Sequence, residues 1–185
     1  MSVRTEHFWE SEDTRDVLEW RNVWLARGTE YYRKPMTEAD IETLLSLMRR
    51  YPLKPGSEYG YSGYVVYDDR PIGGILLVRI GDVTRGRFWW DPTKRCVGRK
   101  VLHAMHSLTA WLGDIIVTAR CSAVVRLLKT HPCCIYEGVD THESTPDMPS
   151  LRFRVVYSRT AELPIMQKSA NIKPQKDAGL PSRAL

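Results

Sequence analysis

Apolar positions along the chain recur first at helical spacing, then at strand spacing, then in alternation. Residues 3–8 carry a short strand pattern. Ser11, Asp13 and Thr14 offer N-cap oxygens to a helix over residues 15–27, where Val17, Leu18, Val23, Trp24 and Leu25 fall at helical intervals before Gly28. Thr37, with Asp40 three positions on, opens a second helix that sets Ile41, Leu44, Leu45 and Met48 on one face and stops before Pro52. The period then changes. Residues 60–67 and 72–80 are rich in β-branched and aromatic side chains and are joined by the turn signal Asp68-Asp69-Arg70-Pro71. A third strand, residues 85–90, follows Gly81-Asp82 and completes an antiparallel meander. Beyond it the pattern predicts a helix over 98–112, a strand over 114–119, a helix over 122–129 and strands over 133–136 and 151–157.

This order predicts an α/β (α+β) fold, a mixed central sheet with helices on both faces, in one domain over residues 1–162. Residues 163–185 lose the aromatics and gather Pro164, Pro174, Gly179 and Pro181. Such a segment buries too little apolar surface to offset its ordering entropy and reads as a basic, flexible tail.

Composition narrows the class. With 43 % hydrophobic and 26 % charged residues in 185, a mostly disordered chain is excluded. No uncharged apolar run approaches the roughly 18 residues that cross a bilayer, so no membrane partner is expected. Residues 1–13 are acidic and aromatic, unlike a secretory leader. Four cysteines, with Cys133 and Cys134 adjacent, make no disulfide framework, which points to a cytoplasmic protein. Cys121, His131, Cys133, Cys134 and His142 lack paired ligand spacing, and His103 and His106 lack a third partner, so no metal is expected.

The net charge of +5 is concentrated. Residues 85–100 hold six basic side chains against Asp91 alone. A single basic focus suits a compact polyanion such as a phosphorylated cofactor, or it is a solvated loop. Phe88, Trp89 and Trp90 interleave with Arg85 and Arg87 as in strands that stack bases. Alternation sends Trp89 to the face opposite Phe88 and Trp90, so core packing takes at least one side and nucleic acid is disfavoured.

The densest chemistry lies in Trp89-Trp90-Asp91-Pro92-Thr93-Lys94-Arg95-Cys96-Val97-Gly98-Arg99-Lys100, which leaves a strand and enters a helix. A helix start presents unpaired N–H groups and the positive end of its dipole, and phosphates bind there when the loop lets them approach. Gly98 has no side chain to block that approach, and Lys94, Arg95, Arg99 and Lys100 add charge.

Here the chain resembles the GNAT N-acetyltransferase superfamily, over about residues 3–157. The family signature is Arg/Gln-x-x-Gly-x-Gly/Ala, often with a proline three residues earlier. Arg95, Gly98 and Pro92 match it, and Lys100 departs from it. Residues 121–133 resemble the family's Asn-x-x-Ala-x-x-Leu-Tyr-x-x-x-Gly-Phe, with Val124 for Ala, Leu127 for Leu, Leu128 for Tyr and Pro132-Cys133 for Gly-Phe.

The resemblance implies an acetyl-CoA-dependent transfer of acetyl to a primary amine of a small molecule or protein, by direct attack in a ternary complex. It assigns the cofactor to the backbone of Phe88, Trp89 and Trp90 and to the loop Arg95, Cys96, Val97, Gly98, Arg99 and Lys100. With Leu128 at the family's tyrosine, Asp91, His131, Tyr136 and Cys121 remain as candidates for proton transfer. It places the acceptor against residues 28–35, with Tyr31 and Tyr32, and 138–149, with Asp140, Glu143 and Asp147; Tyr61 stands near the first loop. Acidic groups beside aromatic walls suit a cationic amine, and a solvated loop with edge tyrosines is the alternative. The departures at Lys100 and Leu128 also allow a catalytically weak protein, monomer or homodimer, that binds a protein partner. Small divergent GNAT-like proteins resembling this one occur in tailed phages, which would make that partner a host protein in the host cytoplasm.

Overall fold

A computed structural model describes residues 3–26, 34–141, 144 and 149–157. The elements follow the predicted order: β1 (Arg4–His7), α1 (Thr14–Ala26), α2 (Glu38–Arg50), β2 (Tyr59–Asp68), β3 (Arg70–Ile80), β4 (Val83–Trp90), α3 (Gly98–Leu112), β5 (Ile115–Ala119), α4 (Ser122–Thr130), β6 (Cys134–Val139) and β7 (Leu151–Val155). The predicted tail at 163–185 and the end of the first helix at Gly28 lie outside the described residues.

Local chemistry sets the boundaries. The α2 start is a complete capping box: Thr37 Oγ1 accepts from the Asp40 N–H, and the Asp40 carboxylate accepts from the Thr37 N–H at 2.8 Å. At the start of α1, Thr14 Oγ1 donates to Phe8 O at 2.6 Å, which ties the helix to the end of β1. The β2–β3 hairpin is tighter than the sequence suggests. Asp69 turns the chain at φ 62, and Arg70 and Pro71 already pair with Asp68 and Tyr67.

The seven strands order as β1-β2-β3-β4-β5-β7-β6, antiparallel throughout except for β4 with β5. One face of the sheet carries α3, whose Val101, Leu102, Met105 and Leu108 meet Ile75 and Leu77. The opposite face carries α1 and α2, with Val17, Leu18, Ile41 and Met48 packed around Phe8 and Trp89. As the alternation predicts, Trp89 is buried on the α1 side while Phe88 and Trp90 pack toward α3.

Trp89 is fixed at both ends. Its indole Nε1–H donates to Val17 O at 2.7 Å, and its ring fills the space beside Gly74, where a Cβ would come within 2.6 Å of the ring and 2.7 Å of Val17. The ring cannot retreat without losing that hydrogen bond, so Gly74→Ala forces strain into the α1 contact. We expect a loss of about 1–3 kcal/mol, read as a lowered urea midpoint; an unchanged midpoint would show that the indole is free to move.

Candidate functional site

The site begins where the sheet fails to close. Strands β4 and β5 pair only through Thr84↔Ile115, Arg85↔Ile116 and Gly86↔Val117, whereas β4 stays paired with β3 up to Gly73↔Trp90. The Asp91 N–H donates to Ile72 O at 2.9 Å. Antiparallel alternation therefore turns the backbone groups of Phe88 and Trp90 to the other edge, into the gap. Trp24 closes one of them: its Nε1–H donates to Trp90 O at 2.7 Å.

The gap opens into a narrow cleft with a cavity volume of about 60 Å³. Trp24 and Leu25 of α1, Phe88 and Trp90 of β4, and Ala119 and Val124 form apolar walls; Arg21, Arg87, Thr118 and Cys121 are its polar lining. Arg87 Nη1 donates to Thr118 Oγ1 at 2.5 Å and so bridges the parted strands.

The loop that follows prepares the α3 start. Cys96 takes φ 64 and Val97 takes φ −83, ψ −20, a left-then-right pair that turns successive N–H groups to one side as an anion-binding nest. Val97 O accepts from Lys100 and Val101, no side chain caps the helix, and the N–H groups of Gly98 and Arg99 have no backbone acceptor among the described residues. Beside them lies a second cavity, lined by Trp90, Cys96, Gly98 and Arg99 on one side and by Ala123, Arg126, Leu127 and Thr130 on the other. Trp90 lines both cavities, so one indole stands between them.

Gly98 has a different neighbour from the one its sequence context suggests. A Cβ there would stand 3.1 Å from the Trp90 ring, so the bare Cα makes room for the indole, which holds the end of β4 against the helix start. The basic residues also divide. Lys94 reaches back to Pro71 O at 3.4 Å and Asp91 at 3.5 Å, and Lys100 pairs with Asp68. Arg95 and Arg99 are exposed, and Arg99 faces the second cavity. Across it stands Arg126, which the sequence analysis missed because it lies outside the basic window, on a helix read for its apolar spacing.

Of the four proton-transfer candidates, Cys121 alone lines the β4–β5 cleft among the described residues. The Asp91 carboxylate accepts from Thr93 N–H at 2.9 Å and Thr93 Oγ1 at 2.6 Å. Burial would raise its pKa, but these bonds and Lys94 outweigh it and hold the group below the usual carboxylate value, so it fastens the loop as an anion. His131 caps the end of α4 and lines, with Lys100 and His103, a cavity that shares Cys96, Arg99 and Thr130 with the second one. Tyr136 is half exposed on β6, beside Phe153 and the Lys129 ammonium. Leu128, at the family's tyrosine, is fully buried in the core. Burial pushes Cys134 up to about 12 and raises Cys133, so neither is a ready nucleophile.

Tyr31, Tyr32 and Glu143 lie outside the described residues. Tyr61 packs toward α2, its hydroxyl 2.7 Å from that of Tyr59, and does not line the cleft. Asp140 is no open acidic wall: its carboxylate is fully buried, 3.4 Å from Arg85 and 3.9 Å from Arg152.

No family model matches the chain, and no curated protein matches it in sequence. Solved structures do match in fold. A spermidine N-acetyltransferase from Vibrio cholerae in complex with CoA and spermine superposes at a TM-score of 0.64, with 14 % identity, over 86 % of this chain and 98 % of that one. The aminoglycoside acetyltransferase AAC(6')-Ib in complex with coenzyme A gives 0.61, 16 %, 87 % and 98 %. An acetyltransferase from Salmonella typhimurium that modifies the N-terminal serine of ribosomal protein L7/L12 gives 0.58, 10 %, 84 % and 94 %. The fold is the mixed α/β fold of the GNAT acetyltransferases.

The histidines near α3 make stability depend on pH. Burial lowers the pKa of His131, with His106, His103 and Arg99 adding to it; burial, then His103, lowers His106. Both protonate more readily when unfolded, so their contribution is complete above the unfolded pKa of about 6.5 and is lost as pH falls through and below it. The urea midpoint is expected to drop between about pH 7.5 and about pH 5.5, above the carboxylate range, and His131→Gln should reduce the drop. An equal drop in the variant would contradict this assignment.

Proposed function

We propose that the protein is an acetyl-CoA-dependent N-acetyltransferase that acetylates a primary amine by direct attack. The observation that carries this reading is the seam at which β4 and β5 part, joined through Trp90 to the uncapped start of α3. An elongated ligand with a diphosphate at one end and an amide-bearing arm suits that pair of cavities. The N–H groups at residues 96–99, with Arg99 and Arg126, would hold the diphosphate. The Phe88 N–H and C=O and the Trp90 N–H would pair with the arm as a further strand would.

Acetyl-CoA bound there supplies a thioester, so that a C–N bond forms, the C–S bond breaks and the amine proton leaves with the thiolate or to water. The chain's part is to place the amine in the cleft, to exclude water with Trp24, Phe88 and Trp90, and to manage that proton. A thiolate needs no strong acid to depart, since a thiol pKa is about 8.5. Cys121, which lines the cleft, would be the side chain that exchanges that proton. Leu128 and Lys100, the departures that favoured a mere binding module, do not line this cleft.

Calorimetric titration with acetyl-CoA tests the reading. Binding is expected in the wild type and should weaken roughly ten-fold or more in Arg99→Glu and in Arg126→Glu. An amine should then release free thiol. Turnover should fall at least roughly ten-fold in Cys121→Ala and stay within about two-fold in Tyr136→Phe, which is remote from the cleft. No binding at millimolar acetyl-CoA would end the proposal.

A further inference from the structure

We infer that the protein has a separate subsite for a phosphate monoester, in the cavity between α3 and the end of α4. This rests on the acyl-transfer reading and deepens it, adding one group to what the ligand of that site must carry. The cavity has a volume of about 430 Å³ and is lined by Arg99, Lys100 and His103 of α3 and by Thr130 and His131 at the end of α4. Cys96, Arg99 and Thr130 border both it and the cavity beside Gly98, so the two adjoin along the groove between the helices.

His131 carries the inference. Its backbone is fixed where α4 ends: the N–H donates to Leu128 O at 3.3 Å, and the C=O accepts from the Cys134 N–H at 3.1 Å. The ring is fixed as well, because the Cys133 N–H donates to Nδ1 at 3.3 Å. A nitrogen that accepts a hydrogen bond does not carry the proton, so the neutral ring bears it on Nε2. Burial, with His106, His103 and Arg99 nearby, keeps the ring neutral. The residue is only 8 % exposed and faces the cavity, yet its Nε2 has no hydrogen-bond partner among the described residues. A donor buried to that degree and aimed into a cavity is matched by an acceptor that enters it.

The other wall supplies charge. Arg99 and His103 are exposed, stand four positions apart on one side of α3, and make no ion pair among the described residues. Lys100 differs, since Asp68 already holds it. A guanidinium and two imidazoles on two helices approach a bound group from different sides. Three tetrahedral oxygens accept from such a set more completely than the single plane of a carboxylate. The cofactor can supply that phosphate monoester from its ribose, or a separate phosphorylated ligand can bring it.

Calorimetry on the full chain compares acetyl-CoA with its 3'-dephospho analogue, and inorganic phosphate is titrated into the protein with and without acetyl-CoA. If the cofactor brings the phosphate, acetyl-CoA binds about ten-fold more tightly than the analogue. If a separate ligand brings it, the two bind equally and the acetyl-CoA-saturated protein still takes up inorganic phosphate. In either case His131→Leu should abolish the signal, His103→Gln should weaken it, and His131→Gln, which keeps an N–H donor, should retain part of it. His103 is exposed, so its variant decides the matter should His131→Leu fail to fold. Equal binding of the two cofactors without phosphate uptake, or a signal unchanged in both His131→Leu and His103→Gln, would overturn the inference. A protein that binds neither cofactor refutes the parent reading instead, and inorganic phosphate titrated into the free wild type and His131→Leu then decides the subsite by itself.

Discussion

A backbone amide in the middle of a sheet normally finds its partner in the next strand, and leaving one desolvated without a partner costs about 1–3 kcal/mol. The end of β4 turns its Phe88 and Trp90 backbone toward a cleft instead, with side chains packed on both of its faces. On the α3 side, Trp90 lies over Gly98, where a Cβ would stand 3.1 Å from its ring. On the α1 side, Trp24 donates to the Trp90 carbonyl, and Trp89 is held to Val17. Arg87 then spans the gap to Thr118, so the strands are tied together by side chains where their backbones part. Closing the sheet would require these aromatic contacts to break together. The open seam is thus a property of the packed core on either side, and the cleft inherits its rigidity.

Local pattern made the elements legible because each boundary has a local cause. The capping box at Thr37 and Asp40, the period change after Pro52 and the helix beginning at Gly98 all reappear in the structure. The uncapped helix start at Gly98 was legible for the same reason, since a glycine at a strand-to-helix junction is a local signal. The contact of Gly98 with Trp90 was not, because tertiary packing brings the indole against it. Lys100, in the basic window by sequence, pairs with Asp68, thirty-two positions earlier. Arg126 lines the cavity beside Gly98 and Arg99 although it sits in a helix whose spacing advertised only an apolar face.

Charges that lie together or apart along the chain are regrouped by the sheet. Asp140, Glu143 and Asp147 cluster in sequence and suggest an acidic pocket. Arg85, Arg87, Arg152 and Arg154 are scattered over seventy positions, yet strand pairing sets them side by side. Of the three acids, the one within the described residues is drawn into the protein by two of those arginines. A period of two in two separate strands, β4 and β7, carries these arginines, but only the strand order and register reveal that they share a face.

Proton movement sets what such a cleft would have to supply. A thiolate departs without a strong acid, since a thiol pKa is about 8.5, so acyl transfer of the proposed kind asks little of a dedicated tyrosine. The position of Leu128 is accordingly free to serve the core, where the side chain is fully buried. What the transfer would need from the chain is placement: an amine held against the thioester between Trp24, Phe88 and Trp90, in the gap that the parting of β4 and β5 leaves.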